Sequence, residues 1–132
     1  MKIKAIVEKG SDGLYSIYSE DHFGTSYFGG FGDSVSKAKE DFLASIDEAY
    51  QEQDATTLPA RDQLVIEYRY DIPSFFNFFD YINVSKFAEY AGINESKMRA
   101  YKSGLAFPGE KTSAKIFNAV RAIALDLSAV VL

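Results

Sequence analysis

Side chains able to do covalent or acid–base chemistry are scarce in this sequence. There is no cysteine, and therefore no thiolate nucleophile, thiolate metal site or disulfide framework. His22 is the only histidine, set beside Asp21 in a stretch with neither helix nor strand period. A lone loop histidine is far more often a surface group than a catalyst. Glu8, Glu20 and Asp21 are the carboxylate set to weigh as a two-metal nuclease site. Such a site needs carboxylates held on facing strands, and only Glu8 falls within a predicted strand. Gly29-Gly30-Phe31-Gly32 precedes a helix but lacks the Lys-Ser/Thr of a phosphate loop. Neither catalysis, a metal nor a cofactor is expected. What remains is recognition chemistry: cations and small polar groups between 84 and 104, and a set of tyrosines and acids near the N-terminus.

The cations between 84 and 104 need an element to present them. In V-S-K-F-A-E-Y-A-G-I-N-E-S-K-M-R-A-Y-K-S-G, Val84, Phe87, Ala88 and Ala91 recur at the spacing of one helix face. Ala88 is small where a second helix must approach. Gly92 follows the last periodic residue, at the position where helices end left-handed. Asn94 is a good N-cap for the next helix, and Ile93 with Met98 occupies the two positions of a hydrophobic staple. Lys97 stands at the capping-box position, so no capping box forms. Met98 and Tyr101 point inward and Gly104 closes the second helix. The pattern predicts a helix-turn-helix whose polar second helix suits a major groove. Glu95, Ser96 and Ala100 would face the groove, with Ser85, Asn94, Lys97, Arg99 and Lys102 around them. A helical hairpin that only packs is the alternative reading.

Charge divides the chain along the same line. Residues 1–83 carry seven Lys/Arg against fifteen Asp/Glu, a net −8, whereas 84–121 carry seven against three, a net +4. A basic segment can meet phosphates; an acidic one repels them and attracts a basic protein. With 132 residues the chain holds one domain or two small ones, and small cores favour oligomers. Hydrophobic content of 47% with 25% charged is globular rather than disordered. No apolar run approaches the roughly 18 residues of a membrane span, and Met1-Lys2-Ile3-Lys4 runs straight into a strand pattern rather than a signal peptide. A cytoplasmic protein without membrane contact is the expectation.

Residues 1–70 read as a β-β-β-α-β module. Ile3, Ala5 and Val7 alternate with Lys4, Ile6 and Glu8, a half-buried strand. Asp12-Gly13 favours a hairpin, and Leu14 to Ser19 is the return strand. A third strand is expected within Thr25 to Phe31, where Gly29 and Gly30 suggest a bulge or a close backbone approach. Asp33 or Ser34 then caps a helix lined by Val35, Ala38, Phe42, Ile46 and Ala49, reaching about Gln51. Glu52 to Gln63 reads as a loop, and Leu64 to Tyr70 alternates again as a fourth strand. Tyr15, Tyr18 and Tyr27 on the sheet, with Glu20 and Asp21 on the loop beside it, are the candidate surface for a basic protein partner.

Residues 71–132 read as all-α. Pro73 cannot continue the strand but can open a helix. Phe75, Phe76, Phe78 and Phe79 cannot all face one side, so part of this segment should pack on the sheet or on another subunit. After the helix-turn-helix, Glu110 to about Leu127 carries Ile116, Val120, Ile123 and Leu127 in helical register, flanked by Phe117, Ala124 and Val131. That stripe exceeds what two short helices can cover, which points to a homodimer or higher homo-oligomer reading paired half-sites.

The whole pattern resembles the HicB family of antitoxins of bacterial type II toxin–antitoxin pairs. D-I-P-S-F-F-N-F-F, A-E-Y-A-G-I-N-E-S-K-M-R-A-Y-K-S-G and P-G-E-K-T-S-A-K-I-F are similar to the DNA-binding half of such antitoxins. I-V-E-K-G-S-D-G-L-Y-S-I-Y and G-G-F-G-D-S-V-S-K-A resemble their truncated ribonuclease-H-like module. The family's usual Pro-Asp-containing segment after the second strand is replaced here by Glu20-Asp21-His22-Phe23-Gly24. The resemblance implies an α+β chain with a partial RNase-H-like module at 1–70 and a helix-turn-helix module at 71–132. It also implies two partners. The first module would bind a small basic HicA-like toxin and cover its RNA-cleaving histidine. The second would bind double-stranded operator DNA and repress the toxin–antitoxin operon. Two other readings compete: a stand-alone repressor whose first module senses a ligand or protein, and an RNase-H-like nuclease needing Mg²⁺ or Mn²⁺.

Overall fold

In the computed structural model, which describes residues 2–21, 27–52 and 58–132, the alternating N-terminal segment forms strand β1 (Lys2–Lys9). It pairs antiparallel with β2 (Tyr15–Ser19), which pairs antiparallel with β3 (Gly29–Gly32). The β1–β2 turn follows its chemistry: the Asp12 carboxylate accepts from Leu14 N at 3.0 Å. On its other side β1 runs parallel to β4 (Val65–Tyr70), giving the order β3-β2-β1-β4. A parallel pair requires a crossover, and helix α1 (Val35–Gln51) lies within it. The fold is α+β.

Helix α1 covers one face of the sheet. Ser34 is its N-cap, accepting from Lys37 N at 3.2 Å. Val35, Ala38, Phe42 and Ile46 are buried against Ile3, Ala5 and Val7 of β1 and Tyr15 and Ile17 of β2. Helix and sheet meet most closely at β3. A Cβ on Gly30 would lie 2.3 Å from Phe42 N and 2.6 Å from Ala38 O, both α1 backbone. Close approach therefore explains this glycine, and the β2–β3 register runs through it without a bulge. The strand starts at Gly29, inside the expected stretch, and runs one residue past Phe31; residues 25 and 26 lie outside the described residues. The 52–63 connection ends in a 3₁₀ turn at Arg61–Gln63, and residues 53–57 lie outside the described residues.

Helix α2 (Ile72–Phe78) belongs with the sheet, which moves the division of the chain. The two compact units part between Phe78 and Phe79, not at 70/71 where the proline signal put the boundary. Asp71 shows why. One carboxylate oxygen caps α2 by accepting from Ser74 N, the other accepts from Lys9 N at the end of β1, both at 2.9 Å. Asn77 Oδ1 accepts from Val35 N at 2.9 Å, and Phe76 is buried. Proline stopped the strand, but it did not detach the helix from the sheet. The Ser74 hydroxyl is buried and has no hydrogen-bond partner among the described residues. Ser74→Ala should therefore stabilise the first unit, by about 1 kcal/mol, because it removes an unsatisfied polar group. Urea unfolding of both proteins checks this; a less stable alanine variant would refute it.

The second unit contains α3 (Val84–Ala91), α4 (Glu95–Ser103) and α5 (Glu110–Ser128). Helix α3 packs against both α4 and α5 around buried Phe87, Ala88, Met98, Ile116 and Ala119. The α5 stripe is only partly used. Val120 and Ile123 are half-buried, while Phe117 and Leu127 are 63% and 64% exposed. Among the described residues no helix is long and apolar enough to cross a membrane.

Candidate functional site

The turn between α3 and α4 is built from local chemistry. Asn83 caps α3, its side chain accepting from Lys86 N at 3.0 Å. Gly92 ends the helix at φ 71°, a conformation that costs a residue with a Cβ roughly 1–2 kcal/mol. Ile93 N then donates back to Ala88 O at 2.9 Å, satisfying a carbonyl at the helix end. Asn94 starts α4 at once, its side-chain oxygen accepting from Lys97 N at 3.1 Å. Two residues thus separate the last residue of α3 from the cap of α4, and Met98 and Ala88 lock the pair from inside.

On the outside the expected residues stand in three groups. Ser96, Lys97 and Lys102 are exposed along α4. Asn94 is exposed but its side chain is committed to the cap, and Ala100 is half-buried. Ser85, Glu95 and Arg99 converge into one cluster across the two helices. Arg99 Nη2 donates to Glu95 Oε1 at 2.6 Å and to Ser85 Oγ at 3.1 Å, and the Ser85 hydroxyl donates to the same Glu95 oxygen. The Arg99–Glu95 pair is solvent-exposed, so it adds only about 0.3–0.5 kcal/mol of the kind that i,i+4 pairs give. Its consequence is orientation: residues fourteen apart in sequence hold one carboxylate and one guanidinium in a defined place.

No family model, curated protein or solved structure matches this chain.

In the first unit, the face of the sheet opposite α1 carries the second set of expected residues, with one correction. Tyr15 is 7% exposed and lies in the core beneath α1, whereas Tyr18 is 43% exposed on the other face. Positions 15 and 18 differ in parity along one strand, so they cannot share a surface. The Tyr15 phenol is raised above its ordinary pKa by burial and by the charge of Asp71. Tyr18 donates to Glu8 Oε1 at 3.1 Å, and its phenol is raised by burial and by Glu8 and Glu20. Tyr27, Glu20 and Asp21 are exposed as expected, and His22 lies outside the described residues. The register adds Phe31 to this face and keeps Ile6 on the outer side that its alternation predicted. Phe31 pairs with Ser16 and is 68% exposed, and Ile6 sits between Tyr18 and Arg69. Strand parity carried that signal. Among the described residues no three His, Asp or Glu stand close enough to hold a metal ion.

Sequence reading missed a third feature. Lys39 of α1 points its ammonium at three rings, 3.5 Å from the Phe78 centroid, 4.1 Å from Tyr68 and 5.1 Å from Tyr70. It also donates to the Tyr70 hydroxyl at 2.6 Å. Ring faces favour the ammonium and burial opposes it; burial wins, and Lys39 is lowered to about 8. Burial and Tyr68 push the Tyr70 phenol up to about 12. The two act in opposite directions on stability. Below about pH 8 the folded and unfolded chains both carry the Lys39 charge. Between about 8 and 10.5 the folded state has released its proton and the unfolded state has not, so stability rises with pH. Above about pH 10 the unfolded tyrosine ionises first and stability falls. Unfolding midpoints of the first unit should therefore rise from about pH 7.5 to about pH 9.5, and Lys39→Met should abolish that rise. A Lys39 titration midpoint at the ordinary lysine value would show that the rings outweigh burial.

Proposed function

We propose that the chain is a HicB-type antitoxin: its second unit binds operator DNA and represses the operon, and its first unit binds and masks a small basic toxin. The observation that carries this reading is the α3–α4 pair. A buried inner seam, a tight left-handed turn and an exposed polar second helix suit insertion of α4 into a major groove. The β-β-β-α-β order of the first unit supports the truncated ribonuclease-H-like assignment. Charge supports the division of labour. Residues 1–78 carry seven Lys/Arg against fourteen Asp/Glu, and residues 79–132 carry seven against five. The open sheet face, with exposed Tyr18 and Phe31, offers apolar area, and the net negative charge of residues 1–78 steers a basic protein toward the unit. The uncovered part of α5 supports a dimer, as paired half-sites require.

The test is co-expression with the neighbouring reading frame, followed by pull-down, a growth assay and a mobility shift on the upstream DNA. Rescue of growth together with a shifted duplex is the expected outcome. A shift without a bound neighbour would favour the stand-alone repressor, and the absence of both would overturn the proposal. Within that assay Lys97→Ala should weaken binding to all duplexes alike. It should also lower the slope of log affinity against log salt by about one, the signature of a lost phosphate contact. Unchanged affinity at matched salt would remove Lys97 from the interface.

A further inference from the structure

Among the exposed groups of α4, Glu95 is the acid: it stands in the first turn, where the helix dipole favours a negative charge, and it pairs with Arg99 one turn on. A carboxylate near a duplex repels phosphates and lowers affinity for every sequence. It is not buried, it is not a cap, and its ion pair with Arg99 is exposed. Yet it is held on two sides by side chains from two helices, the Ser85 hydroxyl from α3 and Arg99 Nη2 from α4. Both contacts fall on Oε1, which leaves the lone pairs of Oε2 for a further donor.

We infer that Glu95 is the specificity-determining residue of the second unit, accepting from the exocyclic amine of cytosine in the major groove with Arg99 held beside it. This rests on the DNA-binding reading of α4 and adds which base pair that helix selects. Recognition helices place their N-terminal residues at base edges, and Glu95 is the first residue of α4. In the major groove guanine shows two acceptors and thymine an acceptor with a methyl group. All three acceptors exclude a carboxylate. Adenine offers an amine but sets the N7 acceptor beside it, which repels the second oxygen. Cytosine offers a donor without that neighbour. The guanidinium of Arg99, fixed by the same oxygen, has further N–H groups that match the guanine acceptors of the same or an adjacent pair. Ser85 is then a positioning residue, orienting Glu95 before DNA arrives.

The experiment is selection of bound duplexes from a randomised library by the full chain and by Glu95→Gln, Glu95→Ala and Ser85→Ala, each checked for helical content by circular dichroism. The wild-type protein should enrich cytosine at one position per half-site, about tenfold over the other bases. Glu95→Gln should shift that position toward adenine, because an amide pairs with adenine N6 and N7. Glu95→Ala should flatten the position and raise affinity for unselected duplex several-fold, since a repulsive charge is gone. Ser85→Ala should keep cytosine with weaker discrimination. If all four proteins enrich the same base equally, the assignment of Glu95 is overturned while DNA binding stands. If the wild-type chain retains no duplex at all, the DNA-binding reading itself fails, and the role of Glu95 falls with it.

Discussion

Gly30→Ala is expected to unfold the first unit or to cost it about 3 kcal/mol or more, whereas Gly29→Ala, one residue away, should change stability by less than about 0.5 kcal/mol. The difference lies in what each new methyl group meets. At Gly30 it falls 2.3 Å from Phe42 N, 2.6 Å from Ala38 O and 2.8 Å from Phe42 Cα. All three are backbone atoms of α1, so no rotamer change relieves the clash. The helix must lift from the sheet, and with it Val35, Ala38, Phe42 and Ile46, all fully buried. At Gly29 the nearest atom is Ile17 O at 3.6 Å, an ordinary contact. Thermal unfolding of the full chain, followed by tyrosine fluorescence and helical dichroism, compares the two. Equal stability of the two variants would mean that α1 does not approach β3 as described.

Met98→Ala should melt the second unit while leaving the first intact. Met98 is 0% exposed and is the one buried residue of α4. The unit's other buried residues are Phe87 and Ala88 from α3 and Ile116 and Ala119 from α5. Truncating a buried methionine costs about 2–5 kcal/mol, and a unit this small has little more than that to lose. The expected result is a lower helical signal at ambient temperature and no duplex binding, with the Gly30-dependent transition unmoved. Lys97→Ala supplies the contrast, since it should weaken binding with the helices intact. If Met98→Ala shifts the transitions of both units together, the chain folds as one cooperative body and the division at Phe78 has no energetic meaning.

The helices of this protein were legible because their determinants are local. The stripe Val35, Ala38, Phe42, Ile46 faces one way at 3.6 residues per turn whatever it packs on. Gly92, Asn94 and Gly104 ended or began helices through their own backbones and side chains. Strand alternation likewise located Ile3, Ala5 and Val7 in the core. That parity also separates Tyr15 from Tyr18, and grouping them by residue type obscured it. The polar character of α4, and with it the expectation of DNA, was readable from composition along one helix face.

What lay beyond the sequence depends on partners distant along the chain. Asp71 caps α2 and holds Lys9, sixty-two residues earlier, so α2 stays with the sheet despite the proline beside it. Lys39 loses its ordinary titration because Tyr68, Tyr70 and Phe78 close around it, and no property of the α1 sequence announces that. Glu95 reads locally as a solvated acid next to Arg99; only the fold brings Ser85 to the same oxygen. Local sequence sets backbone conformation through sterics and nearest-neighbour hydrogen bonds. The charge state and aim of a side chain are set by the dielectric and the donors around it, which exist only once the distant segments have packed.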